Sequence, residues 1–173
     1  MQFFDLIMAR RSVRAYRDLP LDWKIIQQIL NAVRLAPSAG DLQAYQIVVV
    51  ERHETKVALA AAALGQEFIV AAPAVFVFFA DLARSRAKYG QRGASLFCVQ
   101  DATIAAAYAQ LAAAELGLAS CWVGAFEELP VAEALAAPEN QRPVAIMPIG
   151  YAAEAPVHPP RRSLESFIFR EGF

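Results

Sequence analysis

The chain has 173 residues, 57% of them apolar and 19% charged, with a formal net charge of −1. This length suits one domain, residues 1–173, around a single sizeable core. The apolar excess points to surface covered elsewhere, most simply at a subunit interface, and the near-neutral charge argues against a general nucleic-acid binder.

No membrane span is expected. The apolar run "IVAAPAVFVFFA" at 69–80 is too short and is interrupted by Pro73, while the stretch 102–119 carries Gln110 and Glu115. In "MQFFDLIMARR" the charge follows the apolar part, the reverse of a secretory signal, so the expected location is the cytoplasm. Cys98 and Cys121 have no CxxC spacing and read as two buried thiols. His53 and His158 are too far apart in sequence for a recognisable zinc motif or a Ser-His-Asp order.

Residues 3–10 predict a short helix with Phe3, Phe4, Ile7 and Met8 apolar. Residues 22–35 are the clearest amphipathic helix: Ile25, Ile26, Ile29, Leu30 and Val33 share one face, and Lys24, Gln27, Gln28 and Asn31 lie opposite. "APSAGDLQAY" at 36–45 is turn chemistry, and "QIVVVE" at 46–51 a strand. Residues 54–64 predict a helix ending near Gly65. "AVFVFFA" at 74–80 predicts a strand buried on both faces. Residues 82–94 are polar, basic and glycine-containing, and read as a helix fragment and a mobile loop. A long helix, apolar nearly all round, is expected over 95–117 with Gly117 as its stop. There follow a short strand over 119–126 ending in a glycine turn, a helix over 129–136 and a strand over 142–151. An extended arm over 156–169 leads into a short terminal helix. Neither G-x-G-x-x-G nor a P-loop is present, so the expectation is an α+β or mixed α/β three-layer fold with the long helix against the sheet.

"ARRSVRAYRD" at 9–18 concentrates Arg10, Arg11, Arg14 and Arg17. It reads as a solvated helix face, a nucleic-acid patch or a pocket for a phosphate-bearing small molecule. Arg10, Arg14 and Arg17 would share a face if the first helix continued. Ser12 among guanidiniums makes a good phosphate clamp, and Arg161-Arg162 could grip the same phosphate from the far end of the chain. The small residues at 38–40 allow close approach to a flat ligand, and Gln43 can pair with an amide-like edge. In "CWVGAF", Gly124 can let backbone N–H groups point at an atom that gains charge. Each of these stretches has an ordinary structural reading as well.

Taken in order, "RRSVRAY", "APSAGDLQAY", "GQEFIVAAP", "YGQRG", "LGLASCWVGAF", "RPVAIMPIGY" and "PPRRSLE" resemble the nitroreductase family of FMN-dependent oxidoreductases over nearly the whole chain. The resemblance implies an α+β three-layer fold with a central mixed or antiparallel sheet. It implies a homodimer with FMN at the interface, two sites per dimer, each built from both subunits. Carried onto this sequence, Arg10, Arg11 and Ser12 would hold the phosphate and ribityl chain, and Arg14 would face the pyrimidine edge. Pro37, Ser38 and Ala39 of the second subunit would pack on the ring with Gln43 nearby. Gln66 would bond the carbonyl and imide edge, and the backbone of Val123, Gly124 and Ala125 would reach the N5 and O4 side. Arg161 or Arg162 would close on the phosphate.

The implied activity is hydride transfer from NADH or NADPH through the flavin to a nitroaromatic, quinone or similar acceptor, in a ping-pong scheme. No side-chain base or metal is needed, because the flavin carries the redox chemistry. Residues 84–94, with Tyr89 and Arg92, are the expected substrate lid. Asp41 stands where many members carry asparagine, and either points away, capping the next turn, or marks different polar contacts. The same cofactor could instead serve reductive dehalogenation, flavin fragmentation or azoline-type oxidation. A non-enzymatic basic-armed interaction module is the remote alternative.

Overall fold

The computed structural model describes residues 2–173. Its helices are α1 (Phe3–Ala9), α2 (Trp23–Val33), α3 (His53–Ala62), α4 (Phe68–Ala71), α5 (Leu82–Arg92), α6 (Cys98–Glu115) and α7 (Glu128–Ala134). The strands are β1 (Tyr45–Val50), β2 (Ala74–Asp81), β3 (Ala119–Ser120) and β4 (Gln141–Gly150), joined in the order β1-β2-β4-β3. All three strand pairings are antiparallel.

Two apolar layers sandwich the sheet. Val75, Val77, Phe79 and Ile146 face a cluster with Leu59 of α3, Ala63 just beyond its end, Ile69 of α4 and Val131 of α7. Phe76, Phe78, Ala145 and Met147 face Ile26 and Ile29 of α2 and Ala105, Ala106 and Ala109 of α6. Every residue of β2 is therefore buried, which explains its unbroken apolar sequence. Such a run commonly marks a parallel strand; here an antiparallel strand has the same pattern because helices cover both sides.

The amphipathic α2 is capped by Asp22, whose side chain accepts the Lys24 N–H at 2.8 Å. The stop of α6 follows the expectation: Gly117 has φ +74°, and Leu118 N–H returns to Ala113 O at 2.8 Å. Only glycine takes that left-handed turn without a Cβ penalty. By length and composition the helical run Leu82–Glu115 could cross a membrane. In the fold, Ala102, Ala105, Ala106, Ala109 and Ala113 are buried against their neighbours as a core helix would be.

Four expectations are corrected. The first helix ends at Ala9, and Arg10 is already extended (φ −60°, ψ 131°), so Arg10, Arg14 and Arg17 share no helix face. The segment 82–94 begins as the expected helix fragment but does not become a loop, the helix being only kinked at Gly90 (φ 59°, ψ −144°). Asp81 caps α5 by accepting the Arg84 N–H at 3.0 Å, and a π-helical turn, Gly93–Phe97, links α5 to α6. Gly93 lies so close to Ser85 that a Cβ would sit 2.4 Å from its carbonyl oxygen, and this allows the chain to turn back there. The strand over 119–126 is only Ala119–Ser120 plus a single bridge from Val123 to Ile146. The terminal helix is one 3-10 turn, Leu164–Ser166, with no buried residue.

Candidate functional site

Residues 10–17 run extended because neighbouring strand ends supply their hydrogen bonds. Val13 N–H donates to Ser120 O at 3.1 Å, Arg17 N–H to Tyr151 O at 2.8 Å, and Ala153 N–H to Ala15 O at 2.9 Å. Ser12 and Ser120 form a parallel bridge beside the antiparallel sheet. Val13 and Tyr16 are buried, which turns the polar members of the segment outward. The carboxylate of Glu154 accepts the N–H of Arg14 at 2.5 Å and of Ala15 at 3.1 Å, fixing the exit of β4 against this segment.

A cleft of about 300 Å³ opens on the outer side, walled by Arg10, Arg11, Ser12 and Arg14 and closed by Pro156, Val157, Pro159 and Arg161. The two basic clusters from opposite ends of the chain thus meet. Arg11 also donates to the carbonyls of Met8 and Arg10, at the negative end of α1. Burial, then Arg161, then Arg11 pull the pKa of Arg10 below its ordinary value. The described residues provide no carboxylate ion pair for these guanidiniums. Crowded guanidiniums without a paired carboxylate among the described residues are the donor set that a phosphate dianion needs. Arg162 points elsewhere: it bonds Ser166 Oγ at 3.1 Å and Ser166 O at 2.5 Å, and lies over the Phe167 ring. Of the pair Arg161-Arg162, it is Arg161 that lines the cleft with Arg10.

Arg14 extends over the Phe68 ring, its guanidinium carbon 5.8 Å from the centroid. That places it near the segment carrying Gln66, whose Nε2 donates to Ala63 O at 2.9 Å and Ala125 O at 3.1 Å. Gln66 therefore ties the glycine turn to the end of α3. Val123 is not a free donor, since its N–H and C=O both pair with Ile146, at 2.9 and 3.0 Å. Gly124 and Ala125 are exposed, and their amides have no hydrogen-bond acceptor among the described residues. Cys121, earlier in the same stretch, is buried. Burial raises its thiol pKa, while Arg14, a hydrogen bond from Ser12 and Arg10 act against the rise.

Pro37, Ser38 and Ala39 lie elsewhere. They wall a separate cavity of about 540 Å³ with Phe97, Asp101 and Ile104 at the start of α6. Ala114 and Gly117, at the other end of α6, wall a cavity of about 430 Å³ with Arg10 and Arg11. The two ends are about 20 Å apart along the helix. Within one chain the small-residue turn and Arg10 thus line different cavities, at opposite ends of α6.

The turn itself is tightly built. Gly40, Asp41 and Gln43 all have positive φ, and Ser38 Oγ accepts the Gln43 N–H at 2.9 Å. Asp41 accepts from Gln43 Nε2 at 3.2 Å, so both are engaged with each other. Residues of α5 pack on this turn: Lys88 Nζ donates to Gly40 O at 3.4 Å, and Arg84 to Leu42 O at 2.5 Å. Tyr89 meets Phe97 edge-on at 5.1 Å, and Arg92 lies 5.4 Å over the same ring. Neither expected lid residue lines the Pro37–Ala39 cavity itself; both pack on Phe97, which does. The sequence reading missed Asp101, Phe68 and Glu154. The signal for Asp101 was present: it is an acidic residue in the first turn of a helix otherwise rich in alanine.

A sequence model of the nitroreductase family matches residues 7–151. A Thermus thermophilus NADH dehydrogenase is 47% identical over 75 residues, spanning 43% of this chain and 37% of that protein. The FMN reductase [NAD(P)H] of Bacillus subtilis is 30% identical, spanning 94% of this chain and 71% of that protein. An FMN-dependent nitroreductase structure from Clostridium difficile superposes with a TM-score of 0.83 at 28% identity, covering 99% of this chain and 100% of that one.

Proposed function

This chain belongs to the nitroreductase family, and we propose from that premise that it passes hydride from NADH or NADPH to a nitroaromatic, quinone or similar acceptor at a composite FMN site. It is an NAD(P)H-dependent oxidoreductase with FMN as its cofactor. Residues 1–173 act as one FMN-binding unit in this reading, and two copies make the working enzyme. The observation that carries it is the convergence of Arg10, Arg11, Ser12 and Arg14 with Arg161 on one cleft.

The residues present fit the cofactor. Arg10, Arg11 and Arg161 supply planar donors and positive charge for a phosphate, and Ser12 adds a hydroxyl. Arg14 leads from the phosphate end toward Phe68 and Gln66, which suits a cation placed against the pyrimidine edge. The open amides of Gly124 and Ala125 donate at the N5 and O4 side in place of the occupied Val123. Pro37, Ser38 and Ala39 of the second copy cover the ring, because those of the same chain lie at the wrong end of α6.

When bound, FMN supplies the two-electron redox chemistry. The chain's own residues bind, orient and shield. Arg14 stabilises negative charge that develops beside it, which favours reduction. Gln66 holds the 124–125 turn so that its amides keep their direction. Tyr89 and Arg92 back the Phe97 ring that lines the acceptor space, and so help to exclude water from it. Reductant and acceptor use that space in turn, which is a ping-pong scheme.

An absorbance spectrum of the purified protein tests this reading. A flavin band that bleaches with NADH or NADPH and returns on adding a quinone or nitroaromatic is the expected result. A protein that stays colourless with added FMN overturns it.

A further inference from the structure

Arg17 is the one arginine of the N-terminal stretch that takes no part in the cleft described above. It lines a second, polar cleft of about 460 Å³, together with Asp18, His53, Lys56 and Ala72, that shares no lining residue with the first. Lys56 is the unusual member. It is only 8% exposed, yet its ammonium makes one hydrogen bond, to Ala72 O at 2.7 Å. An ammonium has three hydrogens to donate, and no carboxylate reaches pairing distance of Lys56 among the described residues. A buried charge whose nearest carboxylates stand beyond pairing distance is costly. Burial is accordingly the largest influence on Lys56 and lowers its pKa, with Glu51 and then Asp18 acting in the opposite sense from beyond pairing distance.

We propose that Lys56, Arg17 and His53 form an anion site, separate from the FMN cleft, that takes a phosphate-type oxyanion. An oxyanion seated against Lys56 meets its spare N–H donors and supplies a counter-charge at pairing distance. Arg17 closes over the anion with a planar pair of donors, and His53 adds a ring nitrogen. Such a ligand links residues 16–20 to α3 and to the Ala72 carbonyl. Asp18, on the same wall, weakens the site by repulsion and sets its selectivity.

The test uses FMN-saturated protein, so that the arginine cleft is already filled. Inorganic phosphate is titrated at constant ionic strength while heat of binding and the flavin band are followed. Saturable binding of one phosphate per chain without FMN release is expected. Lys56→Met and Arg17→Gln should each weaken it about tenfold, and Asp18→Asn should tighten it. A parallel titration with adenosine monophosphate separates the sources: tighter binding than phosphate assigns a nucleotide-borne phosphate, and no binding assigns the free ion. If Lys56→Met fails to fold, the exposed Arg17→Gln decides. The proposal is overturned by absence of saturable binding, by equal affinity in Arg17→Gln, or by phosphate acting only through release of FMN. It is also overturned if Asp18→Asn destabilises the fold without gaining phosphate affinity, since Asp18 would then be the counter-ion of Lys56.

Discussion

The carboxylate of Asp101 accepts the backbone N–H of Ala39 at 2.9 Å, so the first turn of α6 holds the Pro37–Ala39 turn in place. Asp101 is only 2% exposed, and its second oxygen, Oδ2, is buried without a partner. Removing it should therefore affect the turn more than the helix. Asp101→Ala leaves the Ala39 N–H unmet and should cost roughly 1–3 kcal/mol of stability. Asp101→Asn keeps one acceptor oxygen and should cost less. Urea denaturation of both variants checks the order; an alanine variant as stable as the wild type would remove Asp101 from this role.

Arg10→Ala and Arg161→Ala should each weaken FMN retention by about tenfold or more, the scale of a lost charge-assisted bond. Arg162→Ala should leave it nearly unchanged, because that side chain is turned to Ser166 and Phe167. Fluorescence titration of apoprotein with FMN measures all three. Equal losses at Arg161 and Arg162 would contradict the assignment.

Phe3, Phe4, Ile7 and Met8 on α1 are exposed, as are Phe167, Ile168 and Phe169 in the C-terminal arm. So large an apolar surface is expected to be covered. Light scattering should report a dimer, and Phe4→Glu combined with Ile7→Glu should shift it toward monomer with loss of flavin. A wild-type monomer that keeps its flavin would sink the composite site.

Alkaline pH should weaken the fold. Burial raises the pKa of Cys98, Cys121 and Tyr16, so the native state favours their neutral forms. The unfolded thiols ionise first, near their ordinary 9.0, and the stability these groups contribute is lost as pH rises above it. Cys121→Ser should make the decline shallower. Lys56 works with the opposite sign. Its native pKa lies below 10.5, so the unfolded state holds the extra proton and stability rises with pH in that window. Lys56→Met should therefore steepen the decline. Urea midpoints from neutral to alkaline pH show both slopes; a profile unchanged by either substitution would contradict the assignment.

Gln66→Ala should free the 124–125 turn, since Nε2 of Gln66 is what joins Ala125 O to Ala63 O. The expected effect is slower flavin reduction by NAD(P)H in stopped flow, with FMN affinity changed far less, because Gln66 is not among the residues lining the arginine cleft. A variant that loses FMN but reduces what remains at the normal rate would place Gln66 at the phosphate end instead.

The elements were legible where a local pattern suffices. The spacing of Ile26, Ile29 and Val33 marks α2, the apolar run of β2 marks a strand covered on both sides, and Gly117 marks the end of α6. The family resemblance, carried by short stretches in order, correctly pointed to a three-layer α+β fold with an FMN cofactor. Segment 82–94 misled because its polar, glycine-containing composition looks the same in a loop and in a helix with one exposed side. Its helical state depends on the Asp81 cap and on Gly93 packing against Ser85.

By itself the sequence determined which residue types were available: guanidiniums at both ends, small residues at 38–40, a glycine turn at 124 and a deficit of histidine. Only the tertiary structure decided how they divide. It ended the first helix at Ala9, faced Arg161 rather than Arg162 toward Arg10, occupied Val123 with Ile146, and set the Pro37–Ala39 turn at the far end of α6 from Ser12. The physical reason is separation along the chain. Periodicity records which face of an element is apolar, but a contact between Arg14 and Glu154 spans 140 residues. Such contacts are fixed by how the layers pack and where the chain returns.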